Sequence, residues 1–138
     1  MRQKPIKVVG AVILNKNRQS FFVGQRSRFA KLPLKWEFIG GKVQDGEDFL
    51  RATEREFKEE IGLEVKAKKV VDKTKFNYGG EVGEVEVYFV ECENFQGSPE
   101  IDKNVYEKVG WIAKKKLLGL VWLEADLEFV QRLIAQNS

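Results

Sequence analysis

The chain has 138 residues, 43% of them hydrophobic and 33% charged, with a formal net charge of +3. This composition excludes a disordered chain and predicts one domain, residues 1–138, with a real buried core. There is no histidine and one cysteine, which excludes imidazole catalysis, histidine-bound zinc and an intrachain disulfide.

In chain order, the basic start from Met1 to Pro5 leads into Ile6 to Leu14, an apolar and β-branched run. That run is short, contains Lys7 and lacks a small-residue cleavage site, so no signal peptide is expected. With the lone Cys92, this points to a reducing cytoplasm. No apolar run approaches the ~20 residues of a membrane span. Ile6 to Leu14, a turn at Asn15 to Arg18 and Phe21 to Gln25 together predict a β-hairpin. Ser27 to Lys35 reads as a basic loop, and Trp36 to Ile39 as a short strand running into Gly40-Gly41. Phe49, Ala52, Thr53, Phe57 and Ile61 recur at helical spacing and predict a helix over 48–61, stopped by Gly62. Val65 to Lys75 alternates loosely as a strand, and Asn77 to Gly80 is a turn. Val82 to Glu91 predicts a strand with one buried face, carrying Val85, Val87 and Phe89. A loop over 95–103 precedes a strand over 105–112, and Leu127, Val130, Leu133 and Ile134 mark a terminal helix over 126–136. Strands and helices mix without regular βαβ alternation, which predicts an α/β (α+β) fold with a mixed sheet between helices.

The chemistry concentrates between Gly41 and Leu63. Glu56, Glu59 and Glu60 stand at i, i+3 and i+4 of the predicted helix, so their carboxylates share a face and repel one another. A hard, oxygen-seeking cation such as Mg²⁺ would remove that repulsion. Arg55 is placed to orient a neighbouring carboxylate, and the Gly40-Gly41 turn to bring backbone groups to the same ion or to a phosphate. Glu47, Arg55, Glu56, Glu59, Glu60 and the two glycines Gly41 and Gly62, with apolar Phe57 and Leu63, form a pattern expected by chance about once in 10⁹ windows.

That pattern resembles the Nudix box, G-x5-E-x7-R-E-U-x-E-E-x-G-U with U apolar, and matches it at every specified position. The resemblance implies an α/β/α sandwich with a mixed sheet, the box forming a loop–helix–loop. It also implies hydrolysis of a nucleoside diphosphate linked to another group, with Mg²⁺ or Mn²⁺. By the same resemblance Glu56, Glu59 and Glu60 would hold metal, with the Gly41 carbonyl and Glu107 as further candidates. Arg55 would brace the acidic cluster, Glu47 would support it, and a glutamate such as Glu59 or Glu56 would take part in activating water. Such chemistry needs charge neutralisation and an aligned water more than covalent catalysis, so the missing histidine is no obstacle.

The flanks, Gly24-Gln25-Arg26, Trp36 to Val43, Trp111 and Ala125-Asp126, resemble the MutT-like branch, which includes 8-oxo-dGTP diphosphatases and CTP pyrophosphohydrolases. Ile39 stands where that branch commonly has proline, a change that could alter the pocket wall. The resemblance makes Arg26, Phe38, Lys42 and Asp126 candidates for contacting a nucleotide. Asp126 would read the base edge or else cap a helix, and Trp122 would stack on a base or sit in the core. The expected partner is a nucleotide, not a membrane, with the chain a monomer or homodimer. Nudix action on ADP-ribose, a dinucleoside polyphosphate or an RNA 5′-triphosphate end is the alternative. The lysines at 66–75 and 114–116 keep the RNA end open. A sensor without activity would be expected to have lost the box glutamates.

Overall fold

The computed structural model describes residues 4–136; Met1 to Gln3, part of the basic N-terminus, lie outside it. Seven strands, β1 (Ile6–Val12), β2 (Ser20–Arg26), β3 (Trp36–Phe38), β4 (Gly40–Lys42), β5 (Ala67–Asn77), β6 (Glu84–Cys92) and β7 (Tyr106–Ala113), accompany two helices, α1 (Phe49–Ile61) and α2 (Glu124–Ala135). A four-stranded sheet runs β4-β1-β6-β5, with β1 and β6 parallel and the outer pairs antiparallel. A second, antiparallel sheet runs β3-β2-β7. The mixed sheet between helices is as expected; the separate three-stranded sheet is not visible in the pattern.

The predicted hairpin of the first two strands is corrected by this topology. Asn15 makes a tight turn, its side chain accepting from the backbone N–H of Gln19 and Ser20, and Leu14 bridges Phe21. Beyond that bridge the two strands part, β1 into one sheet and β2 into the other. Ile39 is the crossing point between the same two sheets. β3 ends at Phe38 on β2, β4 starts at Gly40 on β1, and the Ile39 carbonyl between them accepts from Ala11 N–H at 2.7 Å.

β1 and β6 are buried on both faces, so the expectation of one buried face on the sixth strand was too narrow. Val9, Ala11, Val90 and Cys92 meet Ala52, Phe57 and Ile61 of α1. Val12, Val87 and Phe89 on the other face meet Phe129 and Val130 of α2. Each such fully buried aliphatic or aromatic side chain contributes about 1.5–3 kcal/mol relative to exposure. Cys92 packs among them as a small buried hydrophobe.

α1 begins at Asp48, whose carboxylate accepts from Arg51 N–H at 2.8 Å, and ends at Gly62, whose φ of +77° suits a residue without a side chain. Thr53 is tolerated on the buried face because its hydroxyl donates to the Phe49 carbonyl at 2.7 Å. α2 starts two residues earlier than its apolar stripe suggests, at Glu124. Asp126 is therefore inside the first turn and does not cap the helix.

Candidate active site

The box helix lays its acidic residues beside β4. Arg55 is the hub. Its Nε and Nη2 donate to the two oxygens of Glu47 at 2.7 and 2.9 Å, and its Nη1 to Glu56 at 2.9 Å and Glu59 at 3.1 Å. Nη2 also donates to the Lys42 carbonyl at 3.0 Å, which ties the helix to the strand. The Arg55 guanidinium, mainly by hydrogen bonding, holds the Glu47 carboxyl down at about 2. Glu56 is 8% exposed, and its burial raises its pKa despite Arg55. Burial first, then the neighbouring carboxylates of Glu56, Glu37, Glu59 and Asp102, push Glu60 up to about 7. Gly41 lies against this cluster: a Cβ there would fall 2.3 Å from Glu56 Oε2.

Among the described residues no three carboxylates are already arranged around a point where one metal ion could sit. The donor set nevertheless suits a hard divalent cation: all-oxygen ligands, two carboxyls whose charged forms are disfavoured, and a side-chain-free residue at the point of closest approach.

A cavity of about 460 Å³ opens from this cluster. Glu60, Gly40, Gly41 and Lys42 line one part of it, Phe38, Tyr78, Ala125 and Asp126 another, with Val8, Val85 and Val87 as apolar wall. Asp126 is 4% exposed and accepts from Phe38 N–H through Oδ2 at 2.9 Å. Burial, reinforced by the charge of Glu37, drives its carboxyl well above the usual range.

A family model described as the NUDIX domain matches residues 4–133. The chain belongs to the Nudix family. It is a hydrolase of the MutT type, and its relatives bear out that placing. An oxidized purine nucleoside triphosphate hydrolase of Danio rerio is 33% identical over 90 residues, 65% of this chain and 51% of that protein. The chain thus spans about half the length of that relative. A CTP pyrophosphohydrolase of Escherichia coli K12 is 25% identical over 135 residues, covering 98% and 96% of the two chains. The solution structure of a MutT of methicillin-resistant Staphylococcus aureus 252, described as of the Nudix hydrolase family, superposes with a TM-score of 0.74 at 30% identity over 99% and 100%.

Within this Nudix site, not every residue singled out from the sequence ends up where expected. Glu107 is taken up by Arg28: both its oxygens bind the Arg28 guanidinium at 3.0 Å, and Arg28 N–H adds a third bond at 2.9 Å. Arg26 does line the cavity, but its guanidinium is engaged by the Lys31 carbonyl and by Glu37. Trp122 is core. It is 4% exposed, stacks on Phe38 with ring centroids 5.4 Å apart, and donates to the Leu117 carbonyl. Ile39 is fully buried, packs toward Gly24 in the core and is not among the residues that line the cavity. Lys69, Lys73 and Lys75 face Glu91, Glu86 and Glu84 across the β5–β6 pair at 3.8–3.9 Å, which offsets much of the basic stretch.

Glu37 and Tyr106 were missed. Glu37 lines the cavity, accepting from Arg26 at 3.0 Å and from the buried Tyr106 hydroxyl at 2.8 Å. Alternation in the strand turns Glu37 to the face opposite Phe38, and its partners Arg26 and Tyr106 lie far off in the chain, so no local signal marked it.

Proposed function

We propose that this Nudix hydrolase cleaves a nucleoside triphosphate, ordinary or oxidised, to the monophosphate and pyrophosphate with Mg²⁺ or Mn²⁺. The observation that carries this is the continuity of one cavity from Glu60, Gly41 and Lys42 to Phe38 and Asp126. A nucleotide has the same polarity, phosphates at one end and a base at the other. The relatives named for oxidised purine triphosphates and for CTP share a triphosphate and differ in base, which supports the same class.

Glu56, Glu59 and Glu60, with the Gly41 carbonyl, would hold the cation. When bound, it neutralises phosphate charge and acidifies the attacking water. Arg55 keeps Glu56 and Glu59 oriented, and Glu47 keeps Arg55 in place. Lys42, exposed at the cavity edge, meets the phosphates. Phe38, its ring packed on Phe89, Trp122 and Phe129, backs the cavity from the core, and Asp126 reads the base edge. A buried polar group rejects a base that leaves it unpaired, and such contacts discriminate strongly.

A Mg²⁺ panel tests this, scoring pyrophosphate against phosphate from the ordinary NTPs and dNTPs, 8-oxo-dGTP, ADP-ribose, a dinucleoside polyphosphate and triphosphorylated RNA. Pyrophosphate released from one triphosphate far above the rest is the expected result. Turnover confined to ADP-ribose, dinucleotides or RNA ends overturns the substrate reading and leaves the chemistry.

A further inference from the structure

α2 starts without a side-chain cap. The residue before it is Leu123, which has no acceptor to offer the N–H groups left unpaired in a first helical turn. The need is met from the β5 edge of the sheet. The Ala125 N–H donates to the Tyr78 hydroxyl at 3.0 Å, and the Ala125 carbonyl accepts from the Thr74 hydroxyl at 2.6 Å. Both polar groups of one residue are thus gripped by side chains 47 and 51 positions away.

Thr74 is the one buried residue of β5 and is 3% exposed. Valine there would keep the volume and bury more apolar surface, so the hydroxyl is what the position uses. Tyr78 lines the cavity beside Asp126. Glu124, on the other side of Ala125, is held by Lys35 at 2.7 Å. Asp126 follows directly, pinned at one oxygen by Phe38 N–H.

We propose that Thr74 and Tyr78 are positioning residues for base recognition: by gripping Ala125 they set where the Asp126 carboxyl stands in the cavity. The inference rests on the reading of Asp126 as the group that meets the base. A recognising group has to be held to within about 0.5 Å to be selective. A helix end without its own cap does not supply that, whereas one hydroxyl on a paired strand and one just beyond its end do. Neither residue touches the box, so the hydroxyls act on base choice and not on the chemical step.

The test measures binding of nucleoside monophosphates by calorimetry without metal, using AMP, CMP, GMP, UMP and 8-oxo-dGMP. The variants are Thr74→Val, Thr74→Ser, Tyr78→Phe and Asp126→Ala. The preferred monophosphate should lose about tenfold in affinity relative to the others in Thr74→Val and in Tyr78→Phe. Thr74→Ser, which keeps the hydroxyl, should match the parent. In an Asp126→Ala background the two hydroxyl deletions should add nothing, because the group they position is gone. With Mg²⁺ and saturating triphosphate, kcat should stay within about twofold while KM rises.

If Asp126→Ala keeps the parental preference, the reading of Asp126 falls and this proposal with it. If Asp126→Ala abolishes the preference while both hydroxyl deletions retain it, only the positioning role falls. Equal weakening of all five monophosphates, or a further loss in the Asp126→Ala background, also overturns it. Tyr78 lies in the turn after β5 and is only partly buried, so it stays informative if Thr74→Val folds poorly.

Discussion

Replacing Gly41 with alanine places a methyl carbon 2.3 Å from Glu56 Oε2 and 2.4 Å from its Cδ. Carbon–oxygen contacts settle at about 3.3 Å or longer, so the carboxylate has to move by about 1 Å. Glu56 has little room to do so: it is 8% exposed and its other oxygen is held by Arg55 at 2.9 Å. The displacement breaks one charge-assisted hydrogen bond, which costs about 1.5–3 kcal/mol of stability. For a chain of this size that lowers the melting temperature by roughly 5–10 °C. A misplacement of that size at a reacting centre costs on the order of 10²-fold in rate.

The assay is pyrophosphate release from the triphosphate that the panel ranks first, with thermal melting of the same samples. Two other glycines bracket the result. A Cβ at Gly40 would fall 1.7 Å from the Val9 carbonyl oxygen, so Gly40→Ala has to open the β1–β4 pair and should cost the fold itself. A Cβ at Gly110 meets nothing within 4 Å, so Gly110→Ala should change neither rate nor melting. Gly41→Ala turnover within about threefold of the parent, a barrier change below roughly 0.7 kcal/mol, refutes the role given to the Gly41–Glu56 contact.

Glu59→Gln should lower turnover by at least about 10²-fold with melting unchanged, since Glu59 is half-exposed and glutamine still accepts from Arg55; near-parental turnover sinks its place among the metal-holding residues. The Glu47 carboxyl, held at about 2 against an ordinary 4.5, stabilises the fold fully above about pH 4.5, and that contribution is lost as pH falls toward 2. Arg55→Met lacks it, so the stability gap between parent and variant in urea should narrow between about pH 6 and pH 3; a constant gap refutes the pairing. Burial pushes the Cys92 thiol up to about 12, so iodoacetamide at neutral pH should label it only after unfolding; rapid labelling of the native protein contradicts its buried place.

The box was legible because its geometry is local. Residues three and four apart on one helix share a face whatever surrounds them, so Glu56, Glu59, Glu60 and the Arg55 beside them could be placed before any fold was known. Gly62 marked the end of the helix for an equally local reason, a residue free to take positive φ. Periodicity likewise found nearly every strand.

Partnership between strands was not legible, because it depends on residues far apart in the chain. Leu14 and Phe21 bridge as a hairpin would, yet β1 and β2 leave for different sheets. β1 finds its parallel partner in β6 and β2 its antiparallel partner in β7. The same holds for charges. Glu107 looked available until Arg28 was seen against it, and Glu37 looked like a strand residue until Tyr106 and Arg26 enclosed it.

The amino-acid sequence by itself determined the family and the acidic helix of this protein, since both are written in short-range spacing. Only the tertiary structure decided which buried polar groups face the cavity, because a carboxyl 4% exposed, like that of Asp126, is defined by what four separate elements, β3, β5, the turn after it and α2, bring to it.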